Sequence, residues 1–543
     1  MKPRAQWAGL LWMALPLAIY LFLIRTLWFN APAWDDYDAM LESPMTLMSA
    51  SSADEWLRAL FMQHNEHRIA FARLVAWTMA KMTGAMTFPP LVLLGNLAWA
   101  GILALLWAEF RAAVAPPLFM AAAFLLLQLS YVESALLAMA SLSNFGVMLF
   151  AFACVFFAVR PRKADAALAV AFGLLAAITQ ANGLFALPLA AAAAFFRREP
   201  RRAMLFVLVA IAVWVPYFWS YARPTNHPPM LLALEKPLDA LQLFLVIVGG
   251  LVPGRWLPLP FGAAILLALG WLARQGAWRA HPAAVLWTLF ALGSAAAAAV
   301  GRVGLGVFLA PRYGVYSAFF VAIVLLLAAS MTQLRRRVPV LGLVAAAAAI
   351  SGLMTLDAWP AARELSFRGR LLAQAAVVPP AMVSVPYFGV MHPDPDKAMG
   401  ILAEAGRRGL YRPPRVTVEP TAVVLAGSLP PGPTGGSLDE VQLSGTGVVF
   451  KGWAHLPASV PKRALTLAPA EDMAQEPRLV VVPRPDVAVA TLRPDLLFSG
   501  FELHARYGSA AAAGRAAAKT CLSVEAPGHA PVVLSRLGDA CAK

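Results

Sequence analysis

The sequence predicts an α-helical polytopic membrane protein with a smaller, mainly β domain at its C-terminal end, and three observations carry the prediction. Of 543 residues, 60% are hydrophobic and 13% charged, about half the charged share of an ordinary soluble domain. Mean hydropathy is +0.67, and apolar runs of spanning or nearly spanning length recur from residue 7 to residue 355. Beyond residue 355 the composition turns to Pro, Gly, Arg and short β-rich runs such as RVTVEPTAVVLAGSL. A soluble enzyme of this length is thereby excluded. The chain divides into a membrane domain, 1–355, a connecting stretch with short helices, 356–414, and a soluble domain, 415–543.

The net charge of +15 does not point to nucleic acid, because the basic residues punctuate apolar runs instead of forming one face of a folded surface. They report orientation, since short cytoplasmic loops carry excess Lys and Arg. Eleven spans are read, at 7–29, 91–109, 117–131, 143–159, 166–179, 184–196, 203–220, 259–273, 282–300, 314–332 and 338–355. Lys2 and Arg4 place the start of the first span inside; it is longer than a signal-peptide core, although Ala31-Pro32-Ala33 imitates a cleavage site. The connections this threading makes cytoplasmic hold Arg111; Arg160, Arg162 and Lys163; Arg197, Arg198, Arg201 and Arg202; Arg274 and Arg279; and Arg335, Arg336 and Arg337. The apolar stretch 238–253 is read as re-entrant or interfacial, because a span there would move Arg274, Arg279 and Arg335 to Arg337 outside. An odd number of spans sends the C-terminal domain to the extracytoplasmic side.

In the tail, 358–377 and 395–408 read as short helices and 415–543 as the strands of a small β-sandwich. Cys521 and Cys541 lie there, whereas Cys154 lies in a span. An oxidising compartment favours a disulfide between the first two, with two free thiols as the alternative. Trp453, Phe501 and Tyr507 read as core residues of the sandwich in preference to a sugar-stacking surface.

Ionisable groups at an apolar layer are costly unless they serve a site or a pathway, and three clusters stand out, all on the outer side of this topology. The first is WDDYD, Trp34 to Asp38, where three carboxylates within four residues suit general-base catalysis or divalent cation binding. The second is QHNEHRIAFARL, residues 63–74, in the outer loop 30–90 between the first two spans. If residues 54–83 are helical, His64, His67 and Arg68 share one face where an anion can sit, while Trp56, Leu57, Leu60 and Phe61 form an interfacial apolar face. Nothing there fixes a tetrahedral zinc site. The third is GRVGLGVFLAPRYGVYS, residues 301–317, where Arg302 and Arg312 flank a glycine-rich turn and Tyr313 adds a hydroxyl or a stacking face. Each cluster taken singly also fits a solvated or snorkelling boundary. Weaker polar positions are Glu133, Asn144, Gln180, Asn182, His227 and Arg255. Together the clusters describe a site for a membrane-embedded phosphate ester.

With WDDYD after the first span, NEHRI in a long first outer loop, QANGLFALP at 180–188, and GR followed by APRYGVYS, the chain resembles the GT-C superfamily of polyprenyl-phosphate-sugar-dependent glycosyltransferases, and within it a bacterial multi-span branch. The resemblance covers most of residues 8–355. It implies a bacterial inner membrane protein that moves a sugar, with inversion, from a polyprenyl-phosphate donor to a glycan or lipid acceptor. The extended signatures of oligosaccharyltransferases and protein mannosyltransferases are missing, so transfer to protein is disfavoured. The matching base positions are Asp35 and Asp36, with Asp36 preferred and Asp35 positioning it. Arg302, Arg312 and Arg68 would stabilise the departing polyprenyl phosphate, and His67 would hydrogen-bond that phosphate or orient an Asp. The same two carboxylates would be the ligands of Mg²⁺ or Mn²⁺ if a metal assists. The competing reading is a transporter or flippase of lipid-linked saccharides, which usually shows midplane charges and paired repeats. A scaffold whose tail recruits partners would leave the three clusters unused.

Overall fold

The structure is a computed structural model, and it describes residues 3–224, 228–254, 256–331, 339–375, 392, 394–412, 419–425, 434–454, 462–468, 472–482, 484–493, 496, 499–526, 528 and 530–535. The chain forms two compact units, Met1–Ser366 with Ala403–Tyr411, and Phe367–Leu402 with Arg412–Lys543.

The first unit is helical. α1 (Pro3–Leu27) leads through a π-helical turn (Tyr37–Glu42) and a short helix (Ser43–Ser49) to α2 (Ala53–Phe61), α3 (Ala70–Thr83) and α4 (Phe88–Phe110). There follow α5 (Pro116–Leu126), α6 (Ala138–Ala158), α7 (Lys163–Thr179), α8 (Ala181–Phe196) and α9 (Pro200–Trp219). α10 (Pro237–Gly249), α11 (Pro258–Arg274), α12 (Pro282–Arg302), α13 (Gly314–Ser330) and α14 (Val340–Ala375) complete the series. α5 and α9 to α12 each begin on proline, whose missing N–H is no loss in a first turn.

Among the described residues, seven helical stretches are long and apolar enough to cross a membrane: Gly9–Leu27, Phe88–Phe110, Ala138–Ala158, Pro200–Trp219, Pro282–Leu305, Pro311–Ser330 and Val340–Arg370. The remaining apolar runs fall on the shorter helices α5, α7, α8, α10 and α11. Burial sorts these helices. α6 is the central one, with Phe152 stacked on Trp287 of α12 and accepting that indole's N–H at its carbonyl, 2.9 Å away. By contrast α9 leaves Leu208, Ile211 and Val215 exposed, as a helix facing lipid does.

Three local expectations are corrected, those for 117–131, 54–83 and 358–377. The run 117–131 does not stay helical, because after Leu126 the Gln128 amide donates to the Leu125 carbonyl at 2.9 Å and the Tyr131 hydroxyl to that of Leu126. Side chains there take the carbonyls that a further turn would have used. Residues 54–83 are not one helix either. Between α2 and α3, His64 and His67 exchange two backbone hydrogen bonds of 2.8 Å around Asn65, which has φ +49°, a left-handed conformation that Asn tolerates better than most residues. The stretch 238–253 contains α10, packed closely on α11: a Cβ at Gly249 would meet the Pro258 carbonyl at 2.0 Å. The segment 358–377 is no separate short helix but continues the last apolar run as α14, 36 residues long.

Among the described residues the second unit is built on one mixed eight-stranded sheet and not on the two sheets of a sandwich. Its strands are β1 (Glu419–Leu425), β2 (Thr434–Ser444), β3 (Gly447–Ala454), β4 (Lys462–Ala468), β5 (Met473–Val482), β6 (Gly500–Tyr507), β7 (Cys521–Glu525) and β8 (Val532–Ser535), in the order β1-β4-β7-β8-β2-β3-β6-β5. The β1–β4 and β2–β8 pairs are parallel and the others antiparallel. β3 alternates strictly, burying Val448, Phe450 and Ala454. What covers that face is a helix rich in alanine, Ala510–Lys519, whose Ala512, Ala513 and Ala516 join the core. Phe501 and Tyr507 are core residues, whereas Trp453 is half-buried outside that cluster. Pro395–Arg407 is helical, near the expected 395–408. Cys521 is disulfide-bonded and Cys154 is a free buried thiol; Cys541 lies outside the described residues, as do His227, Arg255 and Arg335 to Arg337.

Candidate functional site

Immediately after α1 the chain turns at Trp34, with φ +48°, and the π-helical turn begins one residue past Asp36. This sends the two neighbouring carboxylates in different directions. Asp36 is 2% exposed and caps the start of α6, accepting from the Met139 N–H at 2.8 Å and the Ala138 N–H at 3.4 Å. A carboxylate at a helix N-terminus is electrostatically favoured. Burial nevertheless dominates and pushes Asp36 up to about 7, against the opposing pull of those backbone hydrogen bonds.

Asp35 is surrounded by protein yet open to a cavity, with its side chain 48% exposed. Nε2 of the buried His64 stands 3.5 Å from Asp35 Oδ1, at the limit of a hydrogen bond. Burial opposes ionisation of Asp35, but His64 together with the Arg312 charge holds its carboxyl below the ordinary range.

The cavity has a volume of about 700 Å³ and is walled by all three sequence clusters. Asp35, Asp36, His64 and His67 come from the first loop, and Arg302, Arg312 and Tyr313 from the segment between α12 and α13. Arg302 pairs with Glu66, and Arg312 Nη1 donates to Glu133 Oε2 at 3.2 Å while its guanidinium lies 5.3 Å from the Tyr313 ring centre. His67 Nε2 is 3.7 Å from Glu66 Oε1; burial pushes its imidazole down to about 4, so it is neutral near pH 7. Uncharged polar side chains also line the cavity. The Gln180 amide donates to Asn144, and Asn182 donates to Ser294 and Tyr316, at 2.9 to 3.1 Å.

One expected member of the site is elsewhere. Arg68 does not line this cavity; its guanidinium donates to the carbonyls of Tyr217 and Phe61 and to Ser220 Oγ. Once the chain turns at Asn65, the i, i+3, i+4 face no longer exists, and Arg68 becomes a clamp on the end of α9. Two further members of the lining are Glu66, which stands between two histidines of the same motif, and Arg223, which follows α9 with no motif to mark it. Arg73, 1% exposed, donates to Ser43 Oγ at 3.1 Å and to the Leu60 and Met62 carbonyls, so it braces the loop from inside.

The loop carrying the carboxylates is gripped on both sides by residues 408–411. The Tyr411 hydroxyl donates to the Asn30 carbonyl at 2.7 Å, the Asn30 side chain accepts from the Phe88 N–H, and Arg408 Nη1 donates to Ser49 Oγ at 2.7 Å. Hydrogen bonds before and after Asp35 and Asp36 thus limit how far the acidic turn can drift. Among the described residues no three His, Cys, Asp or Glu side chains are gathered as ligands for a metal ion, so Asp35 and Asp36 have no third partner of those kinds. Comparison with protein-family models, curated proteins and solved structures finds no match to this chain.

Proposed function

We propose that the chain is a membrane glycosyltransferase that takes a sugar from a polyprenyl-phosphate donor and passes it, with inversion, to a glycan or lipid acceptor on the extracytoplasmic side of a bacterial inner membrane. One observation carries this reading: carboxylates near residue 35 and guanidinium groups at 302 and 312 line a single cavity within an apolar helical unit. An accessible carboxylate is what an acceptor hydroxyl needs as it attacks, and fixed cations are what a departing phosphate needs.

The reading assigns the base to Asp35, reversing the preference from sequence. Asp36 borders the cavity but is 2% exposed and spends both oxygens on the start of α6. Asp35 has an exposed carboxylate, kept ionised by His64 and Arg312. It takes the proton of the acceptor hydroxyl; that oxygen bonds to the anomeric carbon from the face opposite the leaving group. The bond from that carbon to the phosphate oxygen breaks, its electron pair stays on the phosphate, and Arg302 and Arg312 offset the added negative charge. Glu66 and Glu133 hold the two guanidinium groups in place beforehand.

The test is to incubate the purified full chain with polyprenyl-phosphate sugars and candidate glycan acceptors, following release of polyprenyl phosphate by mass spectrometry. Donor-dependent release supports a transferase. Binding without release under any acceptor supports a carrier of lipid-linked saccharides instead. Arg302→Ala is expected to raise the KM for donor about tenfold or more, because a charge-assisted bond to phosphate is lost; an unchanged KM would remove Arg302 from the donor site. For the orientation, a reporter fused after residue 543 should be active outside the cytoplasm and silent within it.

A further inference from the structure

A second hollow of about 900 Å³ adjoins the first, and the two share Asn65, Arg223 and Pro224 in their walls. Its own lining is mixed. Leu57, Phe61 and Met62 are 49%, 38% and 51% exposed, an unusual concentration of large apolar side chains around basic ones. Three arginines border it, and they differ in what they already hold. Arg58 pairs with Asp54, and Arg68 is committed to Tyr217, Phe61 and Ser220. Arg223 forms no ion pair among the described residues, whereas Arg302 and Arg312 of the main cavity each face a glutamate.

The segment carrying Arg223 is held from outside. The Gln63 side chain brackets Ala222, donating to its carbonyl at 2.5 Å and accepting from its N–H at 3.0 Å. Arg68 fixes Tyr217 and Ser220 at 3.0 Å each. Both clamps come from the QHNEHR motif, so the motif fixes the segment that presents Arg223. Just before this segment, α9 ends in the exposed Phe218 and Trp219, as helices do where hydrocarbon gives way to headgroups.

We propose that Arg223 receives the phosphate of a prenyl phosphate at the junction of the two hollows, with Leu57, Phe61 and Met62 lying along the adjoining part of the chain. This rests on the reading of the main cavity as a polyprenyl-phosphate site and names the residue through which the lipid's head is taken in. A guanidinium without a carboxylate partner can offer a bidentate face to phosphate without first giving up an ion pair. An apolar border selects a phosphate attached to a hydrocarbon chain over free phosphate.

The test measures binding of a long-chain prenyl phosphate, the matching prenol and inorganic phosphate to the full chain in nanodiscs. Wild type should prefer prenyl phosphate to prenol by about tenfold or more. Arg223→Gln should reduce that preference severalfold, Arg302 and Arg312 keeping the remainder, with prenol binding unchanged, which also shows the variant to be folded, and Arg223→Lys should recover part of the loss. Preference intact in Arg223→Gln overturns the proposal, as does competition by inorganic phosphate as effective as that by the lipid. Arg223-dependent lipid binding with no sugar transfer keeps this site and rejects the transferase. Transfer by wild type with unaltered lipid affinity in Arg223→Gln does the reverse.

Discussion

Asp35→Asn is expected to lower sugar transfer by about 10²- to 10⁴-fold, the usual range for removing a positioned base, with the chain still folded and the KM for donor little changed. Asn matches Asp in shape but cannot take a proton. The side chain is half exposed and the nearest basic side chain, that of His64, stands 3.5 Å away, so little native structure is lost with the charge. The donor phosphate is assigned to Arg302 and Arg312, which Asp35→Asn does not touch. The effect therefore belongs in kcat. Because His64 and Arg312 hold the Asp35 carboxyl below its ordinary range, ionisation of this base should not limit the rate anywhere near neutral pH. Single-turnover release of polyprenyl phosphate from a preloaded donor complex measures the step directly; turnover by Asp35→Asn at the wild-type rate would dismiss the carboxylate from the chemistry.

The positions of cost were legible in the sequence, and their geometry was not. Carboxylates at 35 and 36 and arginines at 302 and 312 stood out because charge beside apolar runs is expensive, and the cavity brings those same residues into one wall. The order of the two aspartates was hidden, since adjacent residues with identical chemistry are separated only by the turn at Trp34 and by the distant start of α6. Arg68 misled because its spacing from His64 and His67 has meaning only on a helix, and a two-residue turn at Asn65 intervenes. Arg223 carries no signal in the sequence: what sets it apart is that it forms no ion pair among the described residues, which a sequence cannot display. In the tail, alternation such as that of β3 says which face is buried but not what covers it. A run of alanines, Ala510 to Ala513, reads as filler and supplies the layer that a second sheet was expected to provide.

Asp36→Asn is expected to change the pH dependence of stability more than stability at any single pH. In the folded chain the Asp36 carboxyl keeps its proton up to about 7, whereas unfolded it ionises near 3.8. The folded state then binds more protons between those values, so the Asp36 contribution declines as pH rises from about 4 to about 7 and is level above. The full span is on the order of 4 kcal/mol. His67 runs the other way: its folded imidazole stays neutral down to about 4 against 6.5 when free, so its contribution grows with pH across that window. The two opposing slopes mask each other in the wild type between about pH 4 and 6.5. Subtraction exposes one of them. Asn removes the titration while its amide oxygen still accepts from the Met139 N–H, preserving much of the cap on α6. The unfolding midpoint of Asp36→Asn in detergent, minus that of the wild type, should therefore climb steadily from pH 4 to pH 7 and level off beyond. A difference constant across this range would mean that Asp36 is ionised in the folded protein throughout, its charge held by the start of α6 against the burial that opposes it.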